Sequence, residues 1–346
     1  MEKSILYLKA NPPSHTTKSD PCLSQTPPLP QNLIRLLRTQ KYHLIGNHSA
    51  TKQCRWLQQS LTHNRPCYKQ QFYGIQSHRC IQMTPTIANC NQKCIFCWRI
   101  QSGDKPEIAW NETASPAVWD DPETIVTECI QKQQRLVSGY KGNPQVSIHK
   151  YREAQQPKHA AISLAGEPTL YPLLGELIEC FTKKGFTTFL VTNGTNPKAL
   201  AQLQTEPTQL YISLCAPDEK TYSQTCHPQT PNAWKKLNQT LIMLSTFKCP
   251  TVIRLTLASH VNLKNPEQYA QLIDKANPTY IEPKAYMHVG FSRLRLGFEN
   301  MPTYQEIKDF ATQLAKRTGY NILQEAPESR VALLSRLEKP MKLTRQ

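Results

Sequence analysis

The sequence has no long apolar run and few acidic residues. No stretch approaches the ~18 consecutive apolar residues of a membrane-spanning helix, so no membrane partner is expected. The N-terminal apolar stretch, Ile5 to Leu8, stops at Asn11-Pro12-Pro13. It is too short for a secretory core segment, which argues against export and for a cytoplasmic protein. Acidic side chains number 25 against 41 Lys and Arg, leaving a net charge of +16. The shortage is sharpest in residues 1–80, where two Asp/Glu face eleven Lys/Arg. A basic region of this kind suits a polyanion such as nucleic acid, although a generally basic soluble surface would read the same way. At 346 residues and 39% hydrophobic content, one large globular domain with additions is expected.

Cysteine is not scarce. There are twelve, and six fall between positions 54 and 97. Without an export signal, metal binding or catalysis explains them better than disulfides.

Residues 1–30 read as a flexible extension, rich in Pro, Ser and Thr. A short helix is expected over 31–40, with Leu33, Ile34, Leu36 and Leu37 as its apolar face. Residues 45–82 are polar and rich in Cys and Gln, with little periodicity. A metal cluster would order them, so 31–82 is assigned as an N-terminal cluster-binding segment. From 83 the pattern alternates. Strand-like runs near 82–88 and at 160–164, 187–191, 209–214, 251–257 and 279–286 are separated by helical periods such as Leu173, Leu174, Leu177, Ile178 and Phe181. About six βα units imply a parallel sheet, too few for the usual eight-unit closed barrel. The fold class is therefore α/β, a partial (β/α)6 barrel over 83–325. Residues 326–346 remain as a basic C-terminal tail.

The densest motif is Cys90-x3-Cys94-x2-Cys97, directly after the first barrel strand. Three thiolates on one loop can hold three irons of a [4Fe–4S] cube and leave the fourth open to an outside ligand. A zinc loop is the alternative, but no fourth ligand stands at zinc-finger distance. The spacing resembles the radical S-adenosylmethionine (SAM) superfamily, and Phe96 matches its aromatic position before the last cysteine. The resemblance implies SAM on the open iron. It also makes Gly166, Glu167, Asn193 and Ser213, at the ends of later strands, candidate SAM contacts. Ordinary turn chemistry is the bland explanation of each.

Cys54, Cys67 and Cys80 form a second trio, spaced by twelve residues each. A second [4Fe–4S] cluster, a zinc site or unpaired thiols remain open from spacing alone. Here the resemblance narrows. Ile45-Gly-Asn-His-Ser-Ala50, Cys67-Tyr-Lys69, Phe72-Tyr-Gly-Ile75, Ser77-His-Arg-Cys80, Cys94-Ile-Phe-Cys-Trp-Arg99, Ser163-Leu-Ala-Gly-Glu-Pro168 and Lys284-Ala-Tyr-Met-His-Val-Gly290 are colinear over about 33–325. Together they resemble the tRNA 4-demethylwyosine synthase family. That resemblance implies two [4Fe–4S] clusters, SAM, pyruvate, and a tRNA-Phe carrying N1-methylguanosine next to the anticodon. It implies a lyase-type condensation forming the tricyclic base of wybutosine biosynthesis. It makes Lys69 the candidate amine for a Schiff base with pyruvate. Lys69 could instead only pair with the pyruvate carboxylate while the second cluster's open iron binds it. The chain has no room for the flavodoxin-like domain of eukaryotic members, so an external flavodoxin- or ferredoxin-type electron donor and a monomer are expected. Other readings are a radical SAM methylthiotransferase, which would carry a C-terminal RNA-binding domain, and a non-catalytic metal-stabilised RNA-binding protein.

Overall fold

The computed structural model describes residues 29–343. All but the last two residues of the expected 1–30 extension, Cys22 included, lie outside that range. Among the described residues ten strands form one sheet. They are β1 Tyr42–Ile45, β2 Ser49–Lys52, β3 Cys80–Thr84, β4 His159–Ile162, β5 Thr187–Thr192, β6 Gln209–Ser213, β7 Thr251–Leu257, β8 Tyr280–Ala285, β9 Asn321–Ala326 and β10 Val331–Ser335. Strands β3 to β8 are parallel neighbours in chain order, giving the six barrel strands expected. β2 adds antiparallel to β3 and carries β1 on its far side, while β10 adds antiparallel to β8 and carries β9. The order ends on β1 and β9, so the barrel is partial and open.

Helices α1 Gln31–Thr39, α2 Arg55–Thr62 and α3 Tyr68–Tyr73 precede β3. Helices α4 Pro122–Ser138, α5 Ile148–Ala154, α6 Leu174–Lys183, α7 Pro197–Ala201, α8 Glu219–Cys226, α9 Ala233–Met243, α10 Pro266–Ala276 and α11 Tyr304–Thr318 follow it. Local chemistry explains their ends. Asp121 caps α4 by accepting from Thr124 N at 3.0 Å, ahead of Pro122 in the first turn. Thr303 and Glu306 form a reciprocal capping box on α11, which stops at Gly319 in the left-handed region. No helix among the described residues is long and apolar enough to cross a membrane.

The period-two alternation of the strands sorts side chains onto two faces. Leu190, Leu210, Ile212, Ile253 and Ile281 join the main core with α4, α6, α9, α10 and α11. The alternate residues Phe189, Tyr211, Val252 and Tyr280 pack instead with Tyr68, Phe72 and Tyr73 of α3. Helix α3 therefore lies against the inner face of the sheet.

Two boundaries differ from the sequence reading. Residues 331–335, placed in a basic tail, are the buried strand β10, inserted between β8 and β9. Val331-Ala-Leu-Leu334 is apolar on both faces, so it shows no alternation to betray a strand. The 82/83 boundary cuts β3, which is tied by pairing to β2 on one side and β4 on the other. Residues 31–82 are thus built into the sheet as well as carrying cysteines.

Candidate active site: two cysteine trios and Lys69

Cys54 and Cys67 stand immediately before α2 and α3, and Cys80 opens β3. The backbone N–H groups of Trp56 and Leu57 point at the Cys54 sulfur, and that of Lys69 at the Cys67 sulfur. Cys54 and Cys67 are in electrostatic reach of each other and of Cys80. The Lys69 amine is in electrostatic reach of all three thiols. Burial pushes the Cys67 thiol up to about 11 and raises Cys54 and Cys80 as well.

Lys69 projects from α3 over the rings of Phe189 and Tyr211, 4.3 and 4.1 Å from their centroids. Burial, then the neighbouring Arg254 guanidinium, pulls its amine down to about 8. Beside it is a hub absent from the sequence reading. The Glu282 carboxylate, fully buried on β8, accepts from Tyr68 Oη at 3.1 Å, Tyr73 Oη at 2.7 Å and Tyr211 Oη at 3.2 Å. Arg254, its register partner on β7, donates to it through Nε at 3.2 Å and Nη2 at 2.9 Å. These contacts hold the Glu282 carboxyl below its ordinary value against the opposing effect of burial. Lys284, two residues on, is a second buried amine shifted to about 8, and its Nζ donates to Ser329 O at 2.5 Å.

The first trio, Cys90, Cys94 and Cys97, follows β3 on a loop that a second set of contacts fixes. Lys93 N donates to Cys226 O at 3.1 Å, Ile95 N to Thr225 O at 3.0 Å, and Cys90 N to Glu112 O at 2.9 Å. The buried Arg99 guanidinium lies close to Cys90 and Cys97 and pairs with buried Glu112 at 2.5 Å. Arg295 arrives from the loop after β8 and donates to Ile95 O, Cys97 O and Asp104. Two guanidiniums thus brace this loop. Burial pushes the Cys90 thiol up to about 12.

Gly166 sits at φ +68°, where an added Cβ would fall 1.8 Å from Thr86 O. Only glycine lets the Ala165–Glu167 turn close onto the 86–89 segment ahead of Cys90. Glu167 is buried. Its Oε1 accepts from Thr169 N at 3.0 Å, Thr169 Oγ1 at 2.6 Å and Thr192 Oγ1 at 2.5 Å, and its Oε2 from Asn193 N at 2.8 Å. It therefore ties together the ends of β4 and β5. The Asn193 side chain is engaged by Asn91 and Thr195. Ser213, opposite Arg254 in the β6–β7 register, is half-buried, and Phe96 packs at the edge of the main core.

Among the described residues, no three His, Cys, Asp or Glu side chains converge as ligands of a single metal ion. A four-iron cube takes one thiolate per iron and so needs a wider ring. The donor sets fit such a group: three thiols each, with cations close by to offset thiolate charge.

Other side chains near the trios have partners within the protein. Tyr68 and Tyr73 serve Glu282, and Trp98 stacks on Tyr42 at 6.2 Å, so these rings are engaged within the protein. His48, in the Ile45–Ala50 motif, fastens the 116–121 loop by accepting from Asp120 N at 2.8 Å. Arg295 is turned inward, and Arg65 pairs with Glu328. Cys215 adjoins Cys226, whose thiol also reaches Cys94.

Residues 84–273 match the radical SAM superfamily and residues 275–336 match the wyosine base formation family. The chain is 50% identical over 314 residues, 90% of each protein, to S-adenosyl-L-methionine-dependent tRNA 4-demethylwyosine synthase of Pyrococcus abyssi. It is 41% identical to the like-named protein of Methanocaldococcus jannaschii, over 88% of this chain and 96% of that one. The chain belongs to the tRNA 4-demethylwyosine synthase family.

The structure of TYW1 with a lysine-pyruvate adduct bound superposes with a TM-score of 0.81 at 38% identity, covering 91% of this chain and 99% of that chain. The crystal structure of archaeal TYW1 gives 0.74 at 34% identity over the same shares. Membership makes this a radical SAM enzyme, with SAM and a [4Fe–4S] cluster as the family's cofactors. The superfamily match holds the Cys90–Cys97 loop and Glu167. The wyosine match holds β8 with Glu282 and Lys284, and the hairpin of β9 and β10.

Proposed function

We propose that this chain condenses N1-methylguanosine, next to the anticodon of tRNA-Phe, with two carbons of pyruvate to form the tricyclic wybutosine precursor. The observation that carries the reading is the Lys69 amine, placed among Cys54, Cys67 and Cys80 and beside the Arg254–Glu282 pair. Its support is the family's name and a solved relative with a lysine–pyruvate adduct.

Cys90, Cys94 and Cys97 would hold the SAM-binding cluster, and Cys54, Cys67 and Cys80 a second one. Bound there, cluster and SAM supply the radical chemistry that activates the methyl group. The chain's residues do the rest. Arg99 and Arg295 fix the cluster loop and offset its charge. Glu167 holds the ends of β4 and β5 together, and Gly166, Glu167, Phe96, Asn193 and Ser213 would line the SAM site. The Lys69 amine attacks the pyruvate ketone carbon, expels water and forms an imine that orients the two carbons. Lys69 is favoured over Lys284 because the Lys284 Nζ is held by Ser329 O at 2.5 Å, while the Lys69 Nζ lies over two rings. Lys284 and Arg254 supply positive charge for the pyruvate carboxylate. The Phe189 and Tyr211 faces keep water from the imine. An external one-electron donor of flavodoxin or ferredoxin type and a monomeric state complete the reading.

The test is anaerobic reconstitution with SAM, pyruvate, reductant and N1-methylguanosine-containing tRNA. Formation of the tricyclic base is the expected result, and its absence sinks the assignment. Borohydride treatment with labelled pyruvate should fix label on the peptide containing Lys69. Label on the Lys284 peptide, or none, would reassign the amine.

A further inference from the structure

The loop after β8 has an unusual surface. Among the described residues nine large apolar side chains are exposed, and four of them fall between 287 and 298: Met287, Val289, Leu294 and Phe298. Leu294 is 62% and Phe298 68% exposed. Clustered exposure of this kind in a soluble protein marks a contact surface.

The backbone beneath is anchored at every turn. Tyr286 N donates to Leu257 O at 2.7 Å, and the Tyr286 and Ser292 hydroxyls meet at 3.0 Å. Gly290, at φ +61°, passes so close to Trp98 that an added Cβ would lie 2.4 Å from its carbonyl oxygen. Phe291 N donates to Trp98 O at 3.0 Å, and Arg295 is stitched to Ile95 O and Asp104. Asn300 Nδ2 donates to Ser259 O at 2.9 Å. The apolar tops are therefore held on a rigid support, fastened directly to the Cys90–Cys97 loop. A rigid support lets exposed apolar groups bind without ordering a loop first.

The ring of Phe298 meets that of His288 edge-on, with centroids 5.9 Å apart. Arg293 is exposed in the same loop, and the acidic Glu299 adjoins Phe298. The chain's net charge of +16 disfavours a second, equally basic copy and favours an anionic occupant such as RNA. An exposed aromatic face on a loop that also carries an exposed cation suits unpaired bases, because every base has a π-face and each link carries a phosphate.

We propose that residues 286–300 form a stacking ledge for the unpaired anticodon-loop bases beside the target guanosine. Phe298 is the stacking face, Leu294, Met287 and Val289 its apolar floor, and Arg293 the phosphate contact. This rests on the tRNA reading above and adds to it the place where the RNA loop is opened. Pulling the methylated guanine from its stack costs stacking energy. A ledge at the mouth that restacks its neighbours would offset that cost.

The test uses the reconstituted, full-length protein and a fluorescent anticodon stem-loop RNA containing N1-methylguanosine, with affinity followed against salt. Phe298→Ala should weaken binding about ten-fold, within the range of lost base–aromatic stacking, and leave the salt slope unchanged. Phe298→Tyr should restore binding. Arg293→Ala should instead reduce the steepness of the salt dependence. Iron content and circular dichroism should match wild type, because Phe298 is exposed. If wild type binds the stem-loop and Phe298→Ala binds within two-fold of it, the ledge is wrong while the tRNA reading stands. If wild type itself does not bind, the tRNA reading fails first. Unchanged RNA binding with slower reduction by a flavodoxin-type donor assigns the face to the donor. A wild-type dimer that Phe298→Ala converts to monomer assigns it to a second copy. Either result overturns the proposal.

Discussion

Glu282→Gln keeps the side chain's shape and removes its charge. The carboxylate accepts from the Tyr68 and Tyr73 hydroxyls and from two nitrogens of Arg254, and it shares the Tyr211 hydroxyl with Gln209 Oε1. The amide nitrogen of Gln is a donor, so at least one of these contacts becomes donor facing donor. Arg254, 17% exposed at its side chain, keeps its charge and loses its counter-ion. Removing one partner of a buried pair costs about 3–5 kcal/mol. The three tyrosines can turn their hydroxyls to limit the added loss, so the expected cost is at the middle of that range, roughly 4 kcal/mol. That corresponds to about a thousand-fold change in the folding constant. Guanidinium unfolding of the metal-free chain, followed by tryptophan fluorescence, measures it without a cluster-loss step. The double variant Arg254→Met/Glu282→Gln should recover much of the loss, because no buried charge is then left alone. A cost below about 1 kcal/mol, or strict additivity in the double variant, would refute the hub.

Gly166→Ala should leave the chain poorly folded or unable to retain SAM, since its Cβ would overlap Thr86 O and its φ is +68°; near-wild-type SAM binding by calorimetry would count against this. Cys54→Ala should lower reconstituted iron from about eight to about four per chain, whereas a loss of all iron would mean the trios are not independent. His48 is buried with Nδ1 bonded to Pro85 O at 2.6 Å and Nε2 accepting from Asp120 N, and burial lowers its pKa below the ordinary value. The unfolded chain then takes up this proton first, so the stability due to His48 is complete above about pH 6.5 and is lost as pH falls. His48→Gln should flatten that acid limb of the stability profile, and an unchanged limb would show that other groups set it.

The local features of the site were legible in the sequence. Cys90, Cys94 and Cys97 lie within eight residues, and Gly166-Glu167 sits where a strand ends, so spacing along the chain stands in for spacing in space. The six parallel strands were legible for the same reason, since their apolar runs are short and separated by helical periods. What depended on tertiary structure is the second layer. Tyr68 meets Glu282 across 214 residues, and Arg254 meets Tyr68 across 186. Nothing in the linear order of Arg254, Glu282 and Lys284 says that they face Lys69. That follows only once the strand register and the docking of α3 set which alternate side chains turn inward. Likewise nothing in the linear sequence says that Arg295 braces the cysteine loop. The sequence determined which chemical groups the protein possesses and which of them are neighbours along the chain. Folding decided which charges meet, because a buried charge is stable only where a distant strand delivers its partner.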